Sequence, residues 1–195
     1  MSDTVRTFIA IELPPEVRAF LTECQERLNR AGGDVRWVRP DLIHLTLVFL
    51  GEVPADMLGD LEQAAREALA GFAPLELRVS GAGHFPPRGA PRVVWIGIED
   101  LSGRLMAVQA ALAKATGAFA EKVEDRAYTA HLTLGRVRSP KGARDLTGAV
   151  DAMSAHTGPT FSAGEVTIFK SELSPQGPAY TALGRISLGA PGIAR

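Results

Sequence analysis

Cysteine is nearly absent: Cys24 is the single one among 195 residues. It cannot close an internal disulfide or supply a cysteine cage for a metal, which excludes stapled and zinc-ribbon architectures and points to a reducing, cytoplasmic setting. A surplus of either charge is missing as well. Lys and Arg number 21 against 22 Asp and Glu, for a formal net charge of −1, whereas a protein that grips nucleic acid along its length carries a basic excess. Any contact with RNA is therefore local, which favours chemistry at an end over binding along a strand. Histidine occurs four times, as His44, His84, His131 and His156, with no local ligand spacing and no H-E-x-x-H pattern, so neither a metal nor another cofactor is expected. The apolar stretch Phe8 to Ile11, after Met1 to Thr7, is too short for a signal-peptide core or a membrane span, so no membrane partner is expected.

What is there suits a packed α/β protein. Hydrophobic residues make up 46% of the chain, enough for a sizeable core. Alternation predicts a strand over Arg6 to Glu12, and Pro14-Pro15 opens a helix whose apolar stripe is Val17, Phe20, Leu21, Cys24 and Leu28, ending at Gly32-Gly33. Cys24 on that stripe reads as a small core hydrophobe. A short strand Val35 to Val38 and a Pro40 turn lead to a strand Ile43 to Leu50 that stops at Gly51, and Pro54 opens a second helix over Met57 to Leu69. Two further strands follow, Leu75 to Val79 and Val93 to Ile98, joined by a Gly/Pro-rich loop Gly81 to Pro91. Then come a helix over Leu101 to Ala115, a charged connector Glu121 to Arg126, a strand His131 to Val137, a weaker helix Ala143 to Met153, and two last strands, Val166 to Leu173 and Tyr180 to Leu188. No linker or low-complexity tract divides the chain.

One four-residue sequence occurs twice: His44-Leu45-Thr46-Leu47 and, 87 positions later, His131-Leu132-Thr133-Leu134. Side chains alternate along a strand, so each copy presents an imidazole and a hydroxyl on one face and two leucines on the other. If the two strands lie side by side, both imidazoles and both hydroxyls converge on one cleft. That grouping suits a phosphodiester. With an ordinary pKa near 6.5, one imidazole can accept a proton from water while the other donates one to a leaving oxygen. Threonine hydroxyls can hold non-bridging phosphate oxygens through the transition state, and a strained cyclic phosphate with a tethered leaving group needs mainly positioning and proton transfer.

These motifs sit in a wider pattern: Arg6-Thr7-Phe8-Ile9-Ala10-Ile11, Trp37-Val38-Arg39-Pro40 ahead of the first histidine, Val48-Phe49-Leu50-Gly51-Glu52 after it, Pro91-Arg92-Val93-Val94-Trp95, Gly135-Arg136 after the second motif, and Gly177-Pro178-Ala179-Tyr180. The whole resembles the two-histidine (2H) phosphoesterase superfamily, in particular the bacterial and archaeal RNA 2′,3′-cyclic phosphodiesterases also called 2′-5′ RNA ligases. The resemblance implies an α+β, bilobal fold. Residues 1–195 then form one domain of two intertwined, pseudo-symmetric α/β lobes whose antiparallel sheets face a central cleft. It implies hydrolysis of RNA 2′,3′-cyclic phosphate ends to 2′-phosphomonoesters, with no metal or other cofactor. His44 would protonate the departing 3′-oxygen, His131 would activate water, and Thr46 and Thr133 would hold the phosphate. Reversible, ATP-independent 2′-5′ joining of RNA ends is the same chemistry with a ribose hydroxyl in place of water. RNA ends such as those of tRNA fragments are the implied partners, and a monomer the implied state.

One departure is Ala130, where relatives often have proline before the second histidine. Arg136 matches a basic residue that the resemblance puts near the phosphate, but strict alternation sends it to the face opposite His131 unless the strand ends or bulges. Phe49 should face the core by the same parity and is weighed as a packing residue against a base-stacking one. Tyr180, Trp37 and Phe85 can stack on bases, and Arg92, with Arg39, Arg88 and Arg126, can form a basic rim. The substrate contacts expected are thus Arg136, Phe49, Arg92 and Tyr180. Small cyclic nucleotides, 2′-5′ oligonucleotides and a non-catalytic role in binding RNA ends remain alternatives.

Overall fold

The computed structural model describes residues 3–122, 126–175 and 177–189, so positions 123–125 of the charged connector lie outside the described residues. Among the described residues nine strands and four α-helices follow one another as β1 (Thr4–Glu12), α1 (Pro15–Asn29), β2 (Val35–Trp37), β3 (His44–Pro54), α2 (Leu58–Leu69), β4 (Leu75–Phe85), β5 (Val93–Asp100), α3 (Leu105–Thr116), β6 (His131–Val137), α4 (Ala143–Asp151), β7 (Thr157–Ala163), β8 (Glu165–Ser174) and β9 (Gly177–Ser187). The strands form two antiparallel sheets. Sheet 1 runs β3-β1-β8-β9 and sheet 2 runs β2-β6-β5-β4-β7. Helices α2 and α3 pack together and cover sheet 1, while α1 and α4 cover sheet 2.

The two halves of the chain exchange elements. β1 pairs with β3 close by in sequence and with β8 from the far end, and β4 joins β5 and β7 in the other sheet. Neither sheet belongs to one half of the sequence. The apolar stripe of α1 behaves as its spacing predicts, with Val17, Leu21, Cys24 and Leu28 buried and Phe20 half-buried. Removing a fully buried leucine such as Leu21 costs about 2–5 kcal/mol. Burial pushes the Cys24 thiol up to about 11, helped by Glu23, so it stays protonated. Gln25, a buried polar residue on the same helix, donates to the Val38 carbonyl at 2.7 Å and the Leu134 carbonyl at 2.9 Å and so clamps α1 onto β6.

Several boundaries differ from the sequence reading. β3 continues through Gly51, whose φ of +74° suits glycine, to Pro54, and α2 starts after a short 3₁₀ turn. α3 starts at Leu105 rather than Leu101, because the Asp100 carboxylate accepts from Ser102 N at 3.0 Å and Leu105 N at 2.7 Å and folds the intervening residues into a turn. The expected loop Gly81 to Pro91 shrinks, since β4 runs on to Phe85 past a bulge at Ser80 and Gly81. β7 is unpredicted. Its Gly158 and Pro159 are poor strand formers, tolerated because β7 is the edge of sheet 2.

Candidate active site

β3 and β6, the two strands that carry the repeated motif, contact each other where the helix-free faces of the sheets meet. His44 opens β3 and His131 opens β6, and the two are held by the same device. His44 Nδ1 lies 2.9 Å from the Leu42 carbonyl, and His131 Nδ1 lies 2.7 Å from the Thr129 carbonyl. A carbonyl can only accept, so each Nδ1 carries the proton and donates it, which leaves both Nε2 atoms for chemistry. Among the described residues no hydrogen bond engages the hydroxyl of Thr46 or Thr133. Tyr128 Oη donates to the Thr46 carbonyl at 3.0 Å, tying the approach to His131 directly to the strand of His44.

The surroundings of the two imidazoles differ. His44 stacks on Phe8 with ring centroids 4.6 Å apart, meets the edge of Tyr180 at 5.3 Å and has Phe169 at 6.3 Å. Phe8, Ala10 and Phe169 form a small apolar cluster with Tyr180 on this face of sheet 1. Burial there holds the His44 pKa below its ordinary value, with the Leu42 carbonyl pulling the other way. His131 instead meets the edge of Phe85 at 5.0 Å and has Trp95 at 6.2 Å. Trp95 lies over Gly83, where a Cβ would come within 2.3 Å of the indole, so glycine in β4 makes room for the ring beneath His131.

Bulges decide where the other expected residues point. In β6 the register slips between Val94 and Trp95, so that Thr133 pairs with Trp95 and Arg136 with Val93, leaving Leu134 as the extra residue. That single extra residue turns Arg136 to the face of His131 and Thr133. β3 has two slips against β1, which leave Phe49 paired with Phe8. Phe49 therefore departs from the parity expectation: it shares the face of His44 and Thr46 instead of entering the core, and it is 50% exposed. Arg6 covers its ring, 4.8 Å from guanidinium to centroid. Tyr180 stands beside His44. Burial raises the pKa of its hydroxyl, while Arg136 from sheet 2 and Arg6 from sheet 1 pull it down, so all three groups share the inter-sheet space. Arg92 is exposed just before β5 and shares parity with the core-facing Val94, so the strand does not aim it at His131. Trp37 packs on the core and donates to Asn29 Oδ1 at 3.0 Å, and Arg39 is paired with Asp41 at 2.6 Å.

Phe8 and Phe169 escaped the sequence reading. The signal for Phe8 was present: the unbroken apolar run Phe8-Ile9-Ala10-Ile11 marks a strand covered on both faces. Among the described residues no three His, Cys, Asp or Glu side chains gather where they could hold a metal ion.

Two facing sheets with one H-x-T motif each, both imidazoles oriented alike through Nδ1, define a paired-histidine site of the kind that can carry a proton in and a proton out at a phosphoester. The chain belongs to the family described as LigT like phosphoesterase, whose profile matches residues 11–95 and again residues 96–180, one motif in each match. It is 33% identical over 177 residues to the RNA 2′,3′-cyclic phosphodiesterase of Methanothermobacter thermautotrophicus, a match covering 91% of this chain and 95% of that protein. It is also 33% identical over 191 residues to the protein of the same name from Thermus thermophilus, covering 94% and 90%. Among solved structures, a protein of Thermus thermophilus matches with a TM-score of 0.78 at 31% identity over 95% of this chain and 98% of that one. E. coli LigT complexed with 3′-AMP matches with a TM-score of 0.77 at 25% identity, covering 95% and 99%. No described helix is long and apolar enough to cross a membrane.

Proposed function

We propose that this protein hydrolyses RNA 2′,3′-cyclic phosphate ends to 2′-phosphomonoesters without a metal, in keeping with the cyclic phosphodiesterase activity for which its relatives are named. The observation that carries the reading is the pair of imidazoles on facing sheets, each with Nδ1 tied to a backbone carbonyl two residues earlier. His131 Nε2 takes a proton from water as its oxygen attacks phosphorus. His44 Nε2 gives a proton to the 3′-oxygen as the P–O3′ bond breaks, so the ring opens to the 2′-phosphate. Thr46 and Thr133 donate to the non-bridging oxygens, and Arg136 balances the growing negative charge. Burial disfavours the charged form of free His44, so its role as donor requires the anionic phosphate beside it to favour the imidazolium. Tyr180 and Phe49 offer faces for the terminal base, and Arg92 stands at the rim. In this reading residues 1–195 work as one domain and as a monomer in the cytoplasm, the two lobes each supplying one histidine.

The test is turnover of a short RNA with a 2′,3′-cyclic end by wild type, His44→Ala and His131→Ala, with the product isomer identified. Each variant is expected to lose about 10²–10⁴ in rate, and the product to carry a 2′-phosphate. A wild-type protein that binds this RNA but leaves the cyclic end intact would overturn the reading. Release of a 3′-phosphate would reverse the assignment of the leaving oxygen.

A further inference from the structure

β2 is three residues long and forms one edge of sheet 2, where Arg36 pairs directly with Arg136 of β6. Paired residues of antiparallel strands point to the same side, so Arg36 joins Arg136 on the face of His131 and Thr133. The flanking residues hold it there. Val35 and Trp37 close over Gly135 from the opposite face, so tightly that a Cβ on Gly135 would lie 2.5 Å from Val35 Cγ1 and 2.9 Å from Trp37 Cε3. Arg36 also reaches toward the other sheet, with Nη2 3.9 Å from where a Cβ on Gly177, the first residue of β9, would stand. Two guanidiniums directly opposite each other on adjacent strands repel. Among the described residues neither has a carboxylate within ion-pairing distance, whereas Arg39, Arg66, Arg78, Arg138 and Arg185 each hold one. An anion between them would turn that repulsion into binding.

Resting on the phosphodiesterase reading, we propose that Arg36, backed by Arg136, binds the phosphodiester on the 5′ side of the terminal nucleotide, so that the enzyme selects oligonucleotide ends over cyclic mononucleotides. Position supports this assignment. Measured along β5, Arg136 lies two residues beyond Thr133, about 7 Å, and Arg36 is one strand further out, about 4.8 Å. Arg136 is thus near enough to serve the terminal phosphate, and Arg36 stands about a nucleotide's length from the threonine that holds it. A guanidinium offers several donors in a fixed fork, which suits a phosphate. One added phosphate contact also agrees with a chain of formal net charge −1, which has no general basic surface.

The experiment compares kcat/KM for 2′,3′-cyclic AMP, for the diadenosine ending in a 2′,3′-cyclic phosphate, and for the same dinucleotide with a neutral methylphosphonate linkage, in wild type, Arg36→Gln and Arg36→Lys. Wild type is expected to prefer the natural dinucleotide to the mononucleotide by about tenfold, the size of one charge-assisted hydrogen bond. The methylphosphonate should abolish that preference. Arg36→Gln should bring the ratio of natural dinucleotide to mononucleotide close to one without lowering the ratio for the methylphosphonate further, and Arg36→Lys should keep part of it. The plot of log kcat/KM against log salt should be steeper for the natural dinucleotide than for the mononucleotide by about 0.7. Proportional loss on all three substrates in Arg36→Gln would make the residue structural and overturn the proposal. So would a dinucleotide preference that survives the neutral linkage, which would belong to base stacking. Turnover of cyclic AMP with no preference for length defeats this inference alone, while failure of wild type on every cyclic phosphate defeats the phosphodiesterase reading beneath it.

Discussion

The first and second H-x-T motifs are identical in sequence and in the way a backbone carbonyl holds Nδ1, yet their imidazoles lie in different media. His44 stacks on Phe8 with the edge of Tyr180 and a tilted Phe169 nearby, and burial disfavours its charged form. His131 meets aromatic groups, Phe85 and Trp95, at an edge and a tilt. A duplicated motif thus supplies two equivalent reagents, and the scaffold behind each one makes them unequal. In the proposed reaction that inequality divides the labour between a proton donor and a proton acceptor.

The most direct way to break the comparison is to remove the need for the donor. On a 3′-deoxynucleoside 2′-(4-nitrophenyl) phosphate the aryl oxide takes the place of the leaving 3′-oxygen and departs without protonation, so His44→Ala should retain most of the wild-type rate. His131→Ala should still lose about 10²–10⁴. Equal losses from the two variants would mean that the motifs do not divide acid from base. Next in size are the hydroxyls. Thr46→Val and Thr133→Val each remove one donor to the transition-state oxygens and should each lower kcat by roughly a hundredfold with KM little changed. A kcat loss confined to one variant would show that the phosphate leans on a single lobe.

How much of this was legible in the sequence follows from the kind of signal involved. The four helices and the strands β1, β3, β5, β6, β8 and β9 rest on apolar periodicity, which local residues supply. β7 and the far end of β4 were hidden by Gly81, Gly83, Gly158 and Pro159. Glycine at 83 and 158 serves close packing, since a Cβ would meet Trp95 at 2.3 Å and Phe20 at 2.6 Å, a requirement that comes from distant parts of the chain. Within the site, His44, Thr46, His131 and Thr133 follow from simple alternation. Phe49 and Arg136 do not, because the extra residues in β3 and β6 reverse parity after each motif, and a bulge is fixed by the partner strand rather than by local composition. Arg36 had no local signal at all, since its place follows from the pairing of β2 with β6 across a hundred positions.

The pH dependence sharpens the same comparison with a smaller effect. A donor must be protonated in the form that reacts, and with His131 removed it is the one imidazole of the pair left to titrate, so the residual activity of His131→Ala should fall on the alkaline side through the pKa of His44. kcat/KM reports the free enzyme, in which burial holds that pKa below its ordinary value of 6.5. kcat reports the complex, in which the bound phosphate anion favours the charged imidazole. The phosphodiester itself remains a monoanion throughout this range. The kcat/KM profile of His131→Ala should therefore turn down at a more acidic pH than its kcat profile. Adding Tyr180→Ser, which lets water reach His44, should move the kcat/KM limb toward higher pH. If His44 were the acceptor instead, its low pKa would govern the acidic limb, and Tyr180→Ser would shift that limb.

The smallest effect tests what keeps the two unequal halves in register. Tyr128 precedes by one residue the Thr129 carbonyl that orients His131, and its hydroxyl donates to the Thr46 carbonyl at 3.0 Å. It is partly buried, and desolvation keeps the phenol protonated by raising its pKa. Tyr128→Phe keeps the ring and removes only the link, which is worth about 1 kcal/mol. The expected result is a loss of about fivefold in kcat with KM unchanged, because misalignment of the two histidines is felt in proton transfer more than in binding. Gln109 offers the matching control: its Nε2 donates to the Leu47 carbonyl at 3.3 Å from α3, next along the same strand but with no connection to His131. Gln109→Leu should lower thermal stability by a comparable amount and leave kcat near wild type. If the two variants lower kcat equally, β3 is merely held in place by both bonds, and the coupling between the motifs resides elsewhere.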